Sequence, residues 1–122
     1  MERQDTVLVV EDEAMLRELI KESLELYGFK VLMASGGNDA LKLAGDYPDR
    51  IDILVTDVAL PGMSGREVAR AIEKIRPEIR ILYISGHIEA AIAHHGIPAS
   101  AFLQKPFLPQ ELARKLRELL EK

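Results

Sequence analysis

Two kinds of segment alternate along the chain. Short apolar, β-branched runs fall at residues 6–10, 30–34, 51–56, 79–85 and 99–103. Within them, Val7-Leu8-Val9-Val10 and Ile53-Leu54-Val55 are unbroken, as expected of strands covered on both faces. Between them lie stretches of helical spacing. Leu16, Leu19, Ile20, Ser23, Leu24 and Tyr27 form a stripe that Gly28 can terminate. Ala40, Leu41, Leu43 and Ala44 mark a second helix, closed near Tyr47-Pro48. Val68, Ala71, Ile72 and Ile75 mark a third; Ser64 and Glu67 have capping-box spacing at its start, and Pro77 lies beyond its end. Residues 87–95 predict a short fourth helix before Gly96-Ile97-Pro98, and Leu108, Leu112, Leu116 and Leu119 a fifth. Gly36-Gly37 reads as a tight loop. The order β-α, five times over, predicts an α/β fold: a five-stranded, doubly wound parallel sheet with helices on both faces.

Composition narrows the class. The chain has 122 residues, 48% hydrophobic and 30% charged, which suits one globular domain spanning residues 1–122. Zero cysteines exclude a disulfide framework, a cysteine-ligated metal and a cysteine nucleophile, and fit a reducing compartment. A net charge of −4 argues against direct nucleic-acid binding. No apolar run is long enough to insert in a membrane, and Met1-Glu2-Arg3-Gln4-Asp5 lacks the layout of a signal peptide. These features point to a soluble, cytoplasmic protein.

In a doubly wound sheet, the ligand site lies beyond the carboxyl ends of the strands. Those ends carry Glu11-Asp12, Asp57, Ser85 and Lys105-Pro106; the second strand, ending in Ala34-Ser35-Gly36, offers little chemistry. Three converging carboxylates call for a cation. A hard divalent ion, Mg²⁺ or Mn²⁺, suits an all-oxygen donor set. With the Lys105 ammonium it balances the three negative charges. Phosphoryl transfer needs positioning and charge stabilisation of the phosphoryl oxygens. Lys105 and the Ser85 hydroxyl can each hold one oxygen, and Asp57 can be the nucleophile. A cis peptide at Lys105-Pro106 could aim the lysine inward. Each residue alone has a commoner explanation as a cap, turn or surface group. Four of five strand ends carrying complementary groups is a stronger signal than any one of them.

The chain resembles the receiver domain of two-component response regulators over nearly its whole length. The resemblance rests on Val9-Val10-Glu11-Asp12-Glu13, Thr56-Asp57, Leu60-Pro61-Gly62-Met63-Ser64-Gly65, Ile84-Ser85-Gly86 and Phe102-Leu103-Gln104-Lys105-Pro106-Phe107. It implies the flavodoxin-like strand order 2-1-3-4-5. It also implies that Asp57 accepts a phosphoryl group from phosphohistidine, on a sensor histidine kinase or a histidine phosphotransfer domain. Glu11, Asp12, Asp57 and the Ala59 backbone carbonyl would hold the metal. Ser85 would be the switch hydroxyl and Lys105 the phosphoryl-binding cation. Phe102 would be a switch aromatic that remodels the face of the fourth helix, fifth strand and fifth helix, where a weak or phosphorylation-dependent homodimer would form. Such a domain phosphorylates and dephosphorylates itself but turns over no other substrate.

Two positions depart from the commonest family pattern. Ala59 lies two residues after the acceptor and His87 two after Ser85. Both are expected to set the lifetime of the phosphoryl group. His94 and His95 are expected at the surface and not as metal ligands. The last third of the chain looks like receivers at the end of hybrid sensor histidine kinases, which favours an excised receiver over a stand-alone regulator. The rivals are a pseudo-receiver used only for docking, which the complete residue set opposes, and an aspartyl-phosphate hydrolase. The hydrolase wants a second acid where Ala59 stands. Flavin binding would need a hydroxyl- and glycine-rich loop where Glu11-Asp12-Glu13 stand.

Overall fold

A computed structural model of the chain describes residues 4–121, the His95 side chain excepted. The expectation about the first three residues and that about His95 therefore lie outside the described residues. Five parallel strands, β1 (Thr6–Val10), β2 (Lys30–Ala34), β3 (Ile53–Asp57), β4 (Arg80–Ser85) and β5 (Phe102–Gln104), form one sheet in the order β2-β1-β3-β4-β5. The helices are α1 (Ala14–Leu26), α2 (Gly37–Asp46), α3 (Gly65–Ile75), α4 (Ile88–His95) and α5 (Pro109–Leu120). Strand order and helix count agree with the sequence reading.

Side chains alternate across a strand, so each central strand feeds two cores. Leu8, Val10, Leu54, Tyr83 and Phe102 pack on one face with Val68, Ala69 and Ile72 of α3 and with α2 and α4. Val7, Val9, Ile53, Val55, Leu82 and Ile84 pack on the other with Ile20 and Leu24 of α1 and Leu112 and Leu116 of α5. β1 is buried throughout, which explains its unbroken apolar run.

The helix ends follow the predicted chemistry. Gly28, at φ +91°, closes α1 in a Schellman arrangement, with Phe29 N–H on Leu24 O and Gly28 N–H on Glu25 O. Ser64 and Glu67 make the reciprocal capping box of α3. At α5, Pro109 takes the first position and the Glu111 carboxylate accepts from the Leu108 N–H at 2.7 Å.

Two local expectations are corrected. The fifth strand is only three residues long; the small residues before it, Ala99–Ala101, form a 3-10 turn. Pro98 sets an extended entry, and the Ala101 N–H bonds back to the Pro98 carbonyl, so these residues turn instead of pairing. Gly36-Gly37 is not a loop: Gly36 caps α2 and Gly37 begins it. A side chain at Gly37 would press on Met63 and Val68, so the glycine lets α2 approach α3.

Candidate phosphoryl-acceptor site

The carboxyl ends of β1, β3, β4 and β5 bring the predicted residues together. Glu11 follows β1 and is almost wholly buried, at 1% exposure. Asp12 beside it is exposed. Asp57 is the last residue of β3, and its side chain is 13% exposed. One oxygen from each of these three carboxylates lies within 4.8 Å of the others. Among the described residues this is where acidic groups gather closely enough for a metal ion. His94 is exposed and stands outside the group.

Lys105 closes the pocket. Its Nζ lies 2.5 Å from Asp57 Oδ2 and 3.3 Å from Glu11 Oε1. The Lys105–Pro106 peptide is cis. Burial works to lower the lysine pKa, but the hydrogen bond and charge of Asp57, then those of Glu11, hold it above its ordinary value. Glu11 is pushed upward, first by burial. The Glu13 N–H and the Lys105 charge oppose that shift, and the Asp12 and Asp57 carboxylates add to it. The Glu13 N–H donates to Glu11 Oε2 at 3.1 Å, and the Arg17 guanidinium donates to the Glu11 carbonyl at 2.8 Å. The acidic loop is thus held from both sides.

Asp57 Oδ1 accepts from the Ala59 N–H at 3.0 Å, which leaves Ala59 exposed at the mouth of the pocket. Ser85 is buried, and its Oγ accepts from the N–H of exposed His87 at 2.9 Å. Phe102 is buried and meets the Tyr83 ring at a centroid distance of 5.7 Å.

Sequence reasoning gave no role to three residues around this site. Gly65 is one: a Cβ there would collide with the Asp57 carbonyl, and its N–H bonds Val58 O at 2.8 Å. The glycine lets α3 start directly against the end of β3. Tyr83 is the second. Its hydroxyl accepts from Arg66 of α3 at 3.1 Å, and burial raises its pKa. Gln104 is the third, bridging two loops through its amide. The alternation of β4 carried a signal for Tyr83, which lies two residues before Ser85 and so shares its face.

An all-oxygen donor set, partly screened from water and carrying excess negative charge, fits a hard divalent cation. The same pocket offers a carboxylate nucleophile, an ammonium and a hydroxyl. A doubly wound α/β domain with this set at its strand ends has the chemical parts of a phosphoryl-accepting site. The sequence profile of the response regulator receiver domain matches residues 7–117, and the chain belongs to that family. It is 38% identical over 120 residues to the sensor kinase CckA of Brucella abortus, covering 96% of this chain and 13% of that protein. It is 34% identical over 118 residues to the response regulator MprA of Mycolicibacterium vanbaalenii, covering 95% of this chain and half of that one. The chain therefore spans only part of these relatives. Among solved structures it is similar to a receiver protein from Sinorhizobium medicae (TM-score 0.84, 34% identity, 98% and 96% of the two chains). It is also similar to the receiver domain of the hybrid histidine kinase CckA (TM-score 0.79, 30% identity, 94% and 98%). No helix among the described residues is long and apolar enough to cross a membrane.

Proposed function

We propose that Asp57 accepts the phosphoryl group. The observation that carries this reading is the contact of Lys105 Nζ with both Asp57 and Glu11 at the strand ends. An Asp57 carboxylate oxygen attacks phosphorus as the P–N bond of a phosphohistidine breaks. The bonding pair returns to the imidazole nitrogen, and the product is an acyl phosphate on Asp57. Lys105 transfers its pairing from the carboxylate to a phosphoryl oxygen. Ser85 donates its hydroxyl to a second oxygen. The Ala59 N–H keeps Asp57 oriented. Glu11, Asp12 and Asp57, with the Ala59 carbonyl, are the groups that would hold Mg²⁺, which when bound supplies positive charge for the phosphoryl oxygens.

The donor must come close enough to reach Asp57. An apolar groove of about 460 Å³ begins at Lys105 and runs between α1 and α5, lined by Leu16, Leu19, Ile20, Phe107, Pro109 and Leu112. Leu19, which lines it, exposes a large apolar side chain, and so does Met15 of the same helix. Its continuity with Lys105 supports it as the seat of a helix bearing phosphohistidine, on a sensor histidine kinase or a histidine phosphotransfer domain. The match to CckA over nearly all of this chain supports a place as the receiver of a hybrid sensor kinase working at the cytoplasmic side, with residues 1–122 as one receiver unit.

Incubation with acetyl phosphate and Mg²⁺, followed by intact mass, tests the acceptor. Wild type is expected to gain one phosphoryl group and D57N none. An unmodified wild type across several donors would leave a docking module. Sustained turnover of phosphate esters would make the chain a hydrolase.

A further inference from the structure

Gln104 ends β5 and pairs in register with Ser85, the last residue of β4. Partners in a parallel ladder share a face, so the Gln104 side chain leaves the sheet on the side of the Ser85 hydroxyl. Its Nε2 donates to two carbonyls, Gly86 and Lys105, each at 2.9 Å. One carbonyl belongs to the loop after Ser85. The other belongs to the residue whose ammonium reaches Asp57. The Lys105 N–H on Ser85 O, at 2.9 Å, closes the same junction.

Within this junction the position of Ser85 Oγ is tied to its own loop by the His87 N–H. Where Oγ meets a phosphoryl oxygen on Asp57 by a shift of its loop, the Gly86-His87 segment moves with it. The Gly86 carbonyl is the point at which Gln104 holds that segment. We propose that Gln104 is a positioning residue: it straps the β4–α4 loop to the Lys105 turn and holds the switch hydroxyl in its resting place. The inference rests on Asp57 being the acceptor.

Removing the strap shifts the population toward the loop position that meets the phosphoryl group. Gln104 is exposed, so its amide competes with water and the effect is modest. The variant Q104L keeps the approximate size and loses both donors. It is expected to take phosphoryl from acetyl phosphate about threefold to fivefold faster than wild type. A residue that served only to place Lys105 gives the opposite sign, because a misplaced ammonium slows the reaction.

A second measurement needs no phosphoryl group. Amide exchange at His87 in the unphosphorylated chain is expected to accelerate in Q104L, with the Ile84 amide of β4 as internal reference. Faster exchange together with faster phosphorylation supports the strap. Unchanged exchange at His87, or unchanged or slower phosphorylation of Q104L beside a wild type that does accept phosphoryl, overturns it. A wild type that takes no phosphoryl at all overturns the acceptor reading instead, and with it any effect of the strap on rate.

Discussion

Lys105 and Glu11 show what can and cannot be read one residue at a time. Both stood out in the sequence because a charged group at a buried strand end needs a reason, and the ion pair supplies it. Gly65, Tyr83 and Gln104 carried no assigned role, although Gly65 and Gln104 lie in the motifs of the resemblance. Their contributions are a close approach, a ring contact and a pair of carbonyl contacts, and none has a chemical signature before the chain is folded. Ala59 and His87 fall between these cases. Each places a backbone N–H on a site residue, Ala59 on Asp57 and His87 on Ser85, so each side chain departs from the rim of the pocket. There a side chain can shield the acyl phosphate or orient the attacking water without touching the nucleophile. A59N and H87E are therefore each expected to change the rate of autodephosphorylation by more than about twofold, roughly 0.4 kcal/mol in the barrier. Both should still be phosphorylated on Asp57. Decay of the adduct, followed by intact mass after the donor is removed, gives the rate; decay within twofold of wild type in both variants removes their tuning role.

At the scale of elements, legibility tracked burial. The first four strands carry β-branched runs whose apolar character matches their two-sided burial, apart from the partly exposed β2, and they lie within two residues of their expected bounds. β5 failed the same reading because its neighbours in sequence, the two alanines of Ala99–Ala101, extend its apolar run without being paired. Apolar content marks burial in general, whereas a strand also needs a register partner, and only Phe102–Gln104 finds one on β4. The joint between α2 and α3 was also invisible in the pattern. Arg76, at the end of α3, donates to the carbonyls of Ala44, Tyr47 and Asp49, at 2.9, 2.6 and 2.8 Å. One planar guanidinium thus satisfies a helix end and the loop that follows it, which a lone arginine beside a proline does not announce. R76A strands the part-buried carbonyls of Ala44 and Tyr47 and is expected to cost about 1–3 kcal/mol of stability. Urea unfolding should show a lower midpoint with an unchanged slope. R76K, a point charge without the fork, is expected to recover only part of the loss. A midpoint within error of wild type for R76A would show that water replaces the guanidinium without cost.

At the scale of the molecule, the sheet separates two packed faces that both reach its carboxyl edge. The α1–α5 groove, proposed above as the donor's seat, begins at Lys105 on one side. The Tyr83–Phe102 pair lies in the core on the other. Asp57, Ser85 and Lys105 stand between them, so an event at the edge can alter packing across the sheet without a change of fold. The same edge concentrates negative charge. Three carboxylates face one lysine, so the formal −4 of the chain hides a local excess that the fold holds together at some cost. A bound divalent cation should relieve it. At tenfold the Kd, Mg²⁺ adds about 1.4 kcal/mol, which for a domain of this size is roughly 5 °C in Tm. Removing the ion with a chelator should reverse the rise, and monovalent salt at matched ionic strength should not reproduce it. D12N separates the two effects, because Asp12 is exposed and its substitution disturbs little packing. Without metal, D12N is expected to melt above wild type, since one like charge is gone. With Mg²⁺, it should gain less than wild type does. A Mg²⁺-induced rise of the same size in both proteins would place the ion away from Asp12 and deny the three carboxylates their common task.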